Sequence, residues 1–182
     1  SYDDRYLSSS TTSLLLPLKF TCKSLLFDNN SILSSNFNPL LFQSLFKFSL
    51  FFGNLDLLTW SYSYIDLYQK HVWNEDACSE AALYGHLDVL KYLRQNGCPW
   101  NSDACSSAAL NGHLDVLKYL RQNGCSWNSN ACSSAALNGH LDVLKYFYQK
   151  RSPWDERACS NAALNGHLEV LKYLHENGCP WN

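Results

Sequence analysis

Cysteine and histidine return at a fixed interval through the second half of this 182-residue chain. His86, His113, His140 and His167 are each 27 residues apart, and so are Cys78, Cys105, Cys132 and Cys159. Cys98, Cys125 and Cys179 form a second series. Imidazole and thiolate are the ligands of zinc sites, so a zinc or redox site on this ladder is one hypothesis. Zinc, however, wants four donors meeting at about 2.0–2.3 Å, commonly from C-x₂₋₄-C pairs. Cys98 and Cys105 are seven residues apart, and the rest recur once per period. Helices stacked ~8–10 Å apart would hold equivalent cysteines beyond the ~7 Å between Cα atoms that a disulfide spans. The cysteines are therefore expected to act as small apolar side chains. Ser106, His113 and Asp115 supply the residue types of a hydrolase triad, but equivalent sets occur four times. An active site is a single constellation, not a ladder. No phosphate loop, dinucleotide fingerprint or H-E-x-x-H is present. We expect no catalytic residue, no metal and no cofactor.

The elements that carry these residues follow from the same period. Blocks 75–101, 102–128, 129–155 and 156–182 are each 27 residues long. Such a unit cannot bury a core alone, whereas roughly three or more stacked units can. In the second block, Asn101 is placed to cap a first helix over Ala104–Leu110, and Asn74, Asn128 and Asp155 occupy the same slot. Ala108 and Ala109 let a neighbouring helix approach closely. Asn111-Gly112 ends the helix, with glycine free to take the left-handed backbone. A second helix is predicted over Leu114–Gln122, where Leu114, Val116, Leu117, Tyr119 and Leu120 cover more than one stripe. His113 is read as starting that helix and bonding across the turn. Leucine every three residues and few β-branched residues reject a strand-lined, leucine-rich horseshoe. In the third block Arg151 stands where the others close the second helix with glycine. A left-handed arginine would cost about 1 kcal/mol, so a kink or an altered loop is expected there.

Ahead of the array the composition is different. Residues 1–50 hold 11 Ser, 12 Leu and 6 Phe, and no alanine precedes Ala77. All twelve alanines fall in the four blocks. Residues 1–40 read as a poorly ordered, low-complexity leader. Their apolar bursts fall short of the ~20 residues a membrane helix needs, and Ser1-Tyr2-Asp3-Asp4-Arg5 lacks the basic start of a secretory signal. A membrane role is not expected. Residues 41–74 read as a degenerate N-terminal unit, because Gly53-Asn54-Leu55-Asp56-Leu57-Leu58 is similar to Gly85-His86-Leu87-Asp88-Val89-Leu90. Lys and Arg number 14 against 16 Asp and Glu, which excludes the basic field of a nucleic-acid binder. The chain has no methionine, and Asn182 stands in a cap slot with Trp181 uncovered, so we expect a piece of a longer protein. Without a further unit, Leu168, Leu171 and Leu174 should be exposed.

Ser107-Ala108-Ala109-Leu110-Asn111-Gly112-His113-Leu114-Asp115-Val116-Leu117-Lys118 resembles the ankyrin repeat core. Gly97-Cys98-Pro99-Trp100-Asn101 is similar to the ankyrin loop. The resemblance covers about 75–182 and, weakly, 42–74. The unit is shorter than the usual 33 residues, with the missing residues falling where a hairpin finger would extend. Asp103-Ala104-Cys105-Ser106 replaces the family's T-P-L-H, losing the histidine that usually ties adjacent loops together. The resemblance implies an all-α, ankyrin-type solenoid and a non-catalytic module that binds a partner protein through the concave face of first helices and loops. Comparison among the units marks the variable positions there as candidate contacts: Glu75, Asp76, Glu80 and Tyr84; Ser102, Asp103, Ser107 and Asn111; Asn130, Ser134 and Asn138; Arg157, Asn161 and Asn165. The alternative is an array that presents a separate catalytic or membrane domain. We expect a monomer, an unidentified protein partner and no nucleic acid. Reduced thiols would suit a cytoplasmic or nuclear compartment.

Overall fold

The computed structural model describes residues 39–68 and 74–180. Leu40–Asn182 forms one compact unit. The expectations for the leader up to residue 38, for Trp181 and for Asn182 lie outside the described residues. Among the described residues there are ten helices and no strand: α1 (Pro39–Phe52), α2 (Leu55–Tyr68), α3 (Glu75–Leu83), α4 (Leu87–Gln95), α5 (Ser102–Leu110), α6 (Leu114–Gln122), α7 (Ser129–Leu137), α8 (Leu141–Gln149), α9 (Glu156–Leu164) and α10 (Leu168–Glu176). None is long and apolar enough to cross a membrane. The arrangement is an all-α solenoid.

Small residues set the first layer. Ala77, Ala81 and Ala82 on α3, Ala104, Ala108 and Ala109 on α5, and Ala131, Ala135 and Ala136 on α7 are all buried. Side chains that short let α3, α5, α7 and α9 pack directly on one another, and these are the most extensive helix–helix contacts in the array. The second layer is built from larger groups. Val89, Leu90 and Leu93 recur as Val116, Leu117 and Leu120, then Val143, Leu144 and Phe147, all fully buried. Each contributes about 1.5–3 kcal/mol by leaving water. Cations lie over indoles within their own units, Arg94 4.4 Å over the Trp100 ring and Arg121 4.7 Å over Trp127, while Trp100 and Trp127 meet Tyr119 and Tyr146 of the next unit edge to face.

The first helices begin two residues earlier than the sequence suggested, at Ser102 in the second unit. The cap explains the shift. Asn101 accepts from the Asp103 amide, Asn128 from Asn130 and Asp155 from Arg157, so the helix starts directly after the capping residue. Asn74 does not cap in this way. Its amide nitrogen donates instead to the Asp76 carboxylate at 2.7 Å.

The units are joined at their turns by one repeated clasp. His113 does not bond across its own turn, as the sequence suggested; its Nε2 donates to the carbonyl of Leu83, in the preceding unit, at 3.1 Å. His140 and His167 do the same to Leu110 and Leu137, and His86 to Phe51. The physical reason lies in the glycine. A Cβ built on Gly85 would come within 2.6 Å of the His113 ring, and Gly112 stands in the same relation to His140. The bare backbone of one turn is therefore the seat of the next unit's imidazole.

Two further expectations are corrected. Arg151 is left-handed, at φ 54°, yet the loop is neither kinked nor rebuilt. Ser152 donates its amide to Phe147 and Arg151 to Tyr148, the same closing bonds that Cys98 and Gly97 make to Leu93 and Arg94. The loop's bonds hold the shape, and the arginine bears the strain. At the far end, Leu168 is exposed but Leu171 is half-buried and Leu174 fully buried, as Leu120 is at the same slot, because the last helix packs on its own first helix and on the second helix of the preceding unit. Among the described residues the most exposed leucine is Leu164, at 82%.

Replacing Arg151 with glycine should stabilise the chain by roughly 1 kcal/mol, or about 2–4 °C in Tm for a chain of this size. An unchanged melting curve would show that no strain is held there. A second pair of variants isolates the clasp. Gly124 and Gly112 have φ 82° and 73°, but only Gly112 faces an imidazole. Gly124→Ala should cost about 1 kcal/mol from the backbone alone. Gly112→Ala should lose about 1–3 kcal/mol more, from overpacking against His140. Equal losses in urea titrations of the two would remove the clasp from the account.

Candidate interaction face

The variable positions all fall on the first helices and their turns. Glu75 and Asp76 open α3 and are exposed, as are Asp103, Asn130 and Arg157 in the corresponding turns. Glu80, Ser107, Ser134 and Asn161 lie further along the helices and are half-buried. Tyr84, Asn111, Asn138 and Asn165 stand at the helix C-caps, exposed. Ser102 is half-buried at the start of α5.

Several of these residues bind neighbouring units. Asn111 donates from its side chain to the Leu83 carbonyl at 2.7 Å, and Asn138 to Leu110 at 2.8 Å. Those are the carbonyls that His113 and His140 also reach, so each acceptor takes two donors from the following unit. Asn161 donates to Ser133 at 3.0 Å, and Asn128 reaches the Ser102 hydroxyl at 3.5 Å. Arg157 pairs with Asp155 at 2.6 Å and donates to the Ser129 hydroxyl at 3.0 Å. That partner holds the Asp155 carboxyl below its ordinary range. Asn165 turns back onto Asn161 of its own helix.

The acidic residues are spent differently. Among the described residues the carboxylates of Glu75, Glu80 and Asp103 enter no ion pair. Burial raises the Glu80 carboxyl above its ordinary range, partly offset by the nearby charge of Lys47. Negative charge thus gathers on the first turns of α3 and α5, gives way to Asn130 on α7, and becomes mixed at Glu156 and Arg157 on α9.

One part of the face was missed in the sequence. Gly53 aligns with Gly85, so Phe52 occupies the slot of Tyr84 and Phe48 that of Glu80. Phe48, Phe51 and Phe52 are 39%, 43% and 38% exposed, and Tyr84 is 36% exposed. Their rings touch in series: Phe48 and Phe52 have centroids 4.3 Å apart, Phe51 and Phe52 4.7 Å, Phe51 and Tyr84 4.7 Å. The available signal was the Gly53 match, which sets the register of the preceding phenylalanines. The face therefore runs from aromatic at its N-terminal end, through acidic, to amide and hydroxyl.

The seven described cysteines are buried, as expected of small apolar groups, but four of them also meet in pairs, which spacing from unit to unit did not disclose. Cys78 and Cys98 bring their sulfurs to 3.3 Å, and Cys105 and Cys125 to 3.5 Å, within single units. The loop thiols in turn donate to the carbonyl that precedes the first helix, Cys98 to Asn74 at 3.4 Å and Cys125 to Asn101 at 3.1 Å. In the third unit Ser152 replaces the loop cysteine, 3.5 Å from Cys132. Burial pushes Cys132 up to about 11 and Cys179 up to about 12. The four turn histidines are taken up by carbonyls, and no group of three or more His, Cys, Asp or Glu side chains that could hold a metal ion occurs among the described residues.

Comparison with known proteins agrees with this architecture. Residues 105–182 match the family model for ankyrin repeats in three copies, and residues 77–121 the one for ankyrin repeats in many copies. No curated protein matches the chain.

Proposed function

The chain belongs to the ankyrin repeat family over residues 77–182, and from that premise we propose that it binds an extended segment of a partner protein along its first-helix face. Ankyrin repeats are in general protein–protein interaction modules and are typically non-catalytic. The supporting observation is the run of touching, half-open aromatic rings formed by Phe48, Phe51, Phe52 and Tyr84. An exposed apolar patch rimmed by polar groups marks an interaction site, and aromatic side chains are the residues that most often carry binding energy.

The carboxylates of Glu75, Asp76, Glu80 and Asp103 lie on the helices beside this patch. The partner segment is therefore one that carries an apolar anchor flanked by Lys or Arg. Its anchor sits against Tyr84, and its charges meet the acidic turns. The charged contacts lie at an exposed rim, so they steer association and set its salt dependence more than they add affinity. Asn111 and Asn138 hold the turns in place and take a lesser part in contact. We further propose a reducing, cytoplasmic or nuclear setting, in which the paired thiols persist.

A displayed random-peptide library selected on the full chain should return binders in which basic residues surround an aromatic or aliphatic one. Tyr84→Ala should weaken them by about tenfold, or 1.4 kcal/mol, and Glu80→Lys should weaken them and flatten their salt dependence. Lys118→Glu, on the second-helix layer, should change nothing. Binders that keep their affinity for both face variants, with helicity retained by circular dichroism, would overturn this reading.

A further inference from the structure

The paired cysteines play no part in the interaction face, and they carry chemistry of their own. Cys78 lies on α3 and Cys98 in the loop that leaves α4, and the two sulfurs are fully buried in contact at 3.3 Å. Cys105 and Cys125 repeat the arrangement at 3.5 Å in the next unit. A disulfide requires the sulfurs to approach to about 2.05 Å. From contact distance that is a small movement of a loop side chain, with no displacement of one unit against another.

We propose that Cys78–Cys98 and Cys105–Cys125 are oxidisable dithiols, each of which closes into a disulfide within its own unit when hydrogen peroxide supplies the oxidising equivalents. In the first step a local opening of the exposed return loop admits the peroxide, and the loop sulfur, Cys98 or Cys125, attacks a peroxide oxygen as thiolate. The O–O bond breaks, hydroxide leaves and takes up the proton released by the thiol, and a sulfenic acid remains. The sulfur of Cys78 or Cys105 then attacks that sulfenic sulfur. The S–S bond forms, the S–O bond breaks, and the departing hydroxide takes the second thiol proton as water. Two thiols and one peroxide become one disulfide and two waters.

The hydrogen-bond chain assigns the order. Cys78 donates to Cys98, which lowers the Cys98 thiol below its ordinary range and raises Cys78; Cys105 and Cys125 divide in the same way. The loop sulfur, which accepts the helical thiol's bond and lies on the exposed return loop, is the nucleophile, and the helical sulfur resolves. The closed bond would fasten each first helix to its own return loop and constrain the unfolded chain. Ser152 is a built-in break. With a hydroxyl 3.5 Å from Cys132, the third unit keeps the contact and cannot be locked.

The test is peroxide treatment of the folded full chain, alkylation in denaturant, and peptide mapping by mass spectrometry without reductant. Linked peptides joining Cys78 to Cys98 and Cys105 to Cys125, each lighter by two hydrogens, with Cys132 alkylated, are expected. The oxidised chain should melt at a higher temperature, and reductant should reverse both changes. Ser152→Cys should add a third link, from Cys132 to the thiol introduced in its loop. Cys98→Ser should remove the first link and spare the second; serine in this slot is already accommodated in the third unit. Complete alkylation of all four cysteines, oxidation to sulfinic acid without links, or links between different units would each overturn the proposal.

Discussion

The array depends on an imidazole seated on a bare turn. Each of His86, His113, His140 and His167 reaches back to a carbonyl of the preceding unit, at 2.9–3.1 Å. A carbonyl only accepts, so the bond fixes the proton on Nε2 and with it the orientation of the ring. The ring in turn leaves no room for a Cβ on the preceding turn. Glycine is thus required twice over at these turns, by a positive φ and by a neighbour. At Gly97, Gly124 and Gly178 only the first requirement holds, since nothing lies within 4 Å. This distinction accounts for a difference within the third unit. Arginine replaces glycine at a position of the second kind, where strain is the whole cost, and no turn of the first kind departs from glycine.

The third unit shows how much the framework tolerates when its closing bonds are kept. Arg151, Ser152, Phe147 and Tyr148 are all departures, and they lie close together. Phe147 fills the slot of Leu93 and Leu120 without exposure, and its ring meets Trp127 at 5.0 Å. Tyr148 takes the place of Arg94 and Arg121 and stacks on Trp154 at 5.3 Å, so a cation over an indole is exchanged for a ring over an indole. Ser152 keeps contact with Cys132. Packing is kept in kind at each position while the chemistry changes. The backbone bonds of the loop are indifferent to that exchange, which is why a left-handed arginine leaves the loop unaltered.

The period, the helix pairs and the caps at Asn101, Asn128 and Asp155 were legible in the sequence, because each rests on neighbours within four residues or on exact repetition. The second helices match the predicted boundaries for the same reason. What was not legible depends on distances that repetition alone does not measure. The thiol pairs join residues 20 apart within a unit, across a turn and a whole helix, whereas spacing arguments compared equivalent cysteines in different units. The histidine bonds run 30 residues back, one unit plus three. A sequence pattern shows that His113 and Leu83 recur but not that the helical stack superimposes them. The fold was readable from local physics, while the joints between and within its units needed the stacking geometry.

That geometry also explains why variation can gather on one face. Asn111 and His113 both donate to Leu83, and Asn138 and His140 both to Leu110, so the turn backbone is held from the following unit by two donors. Side chains one helical turn earlier carry none of that load at Glu80, Ser107 and Ser134. The corresponding position in the N-terminal pair, Phe48, is free to be aromatic for the same reason. A residue in this column can change its charge, size or polarity while the spacing of the helices beneath it stays fixed by alanine contacts and the clasp. Phe48, Glu80, Ser107, Ser134 and Asn161 put four kinds of side chain at five equivalent positions on one scaffold. The asymmetry from aromatic to amide along the column is then largely a property of the surface, and only at Asn161, which donates to the Ser133 carbonyl, does the column also tie one unit to the next.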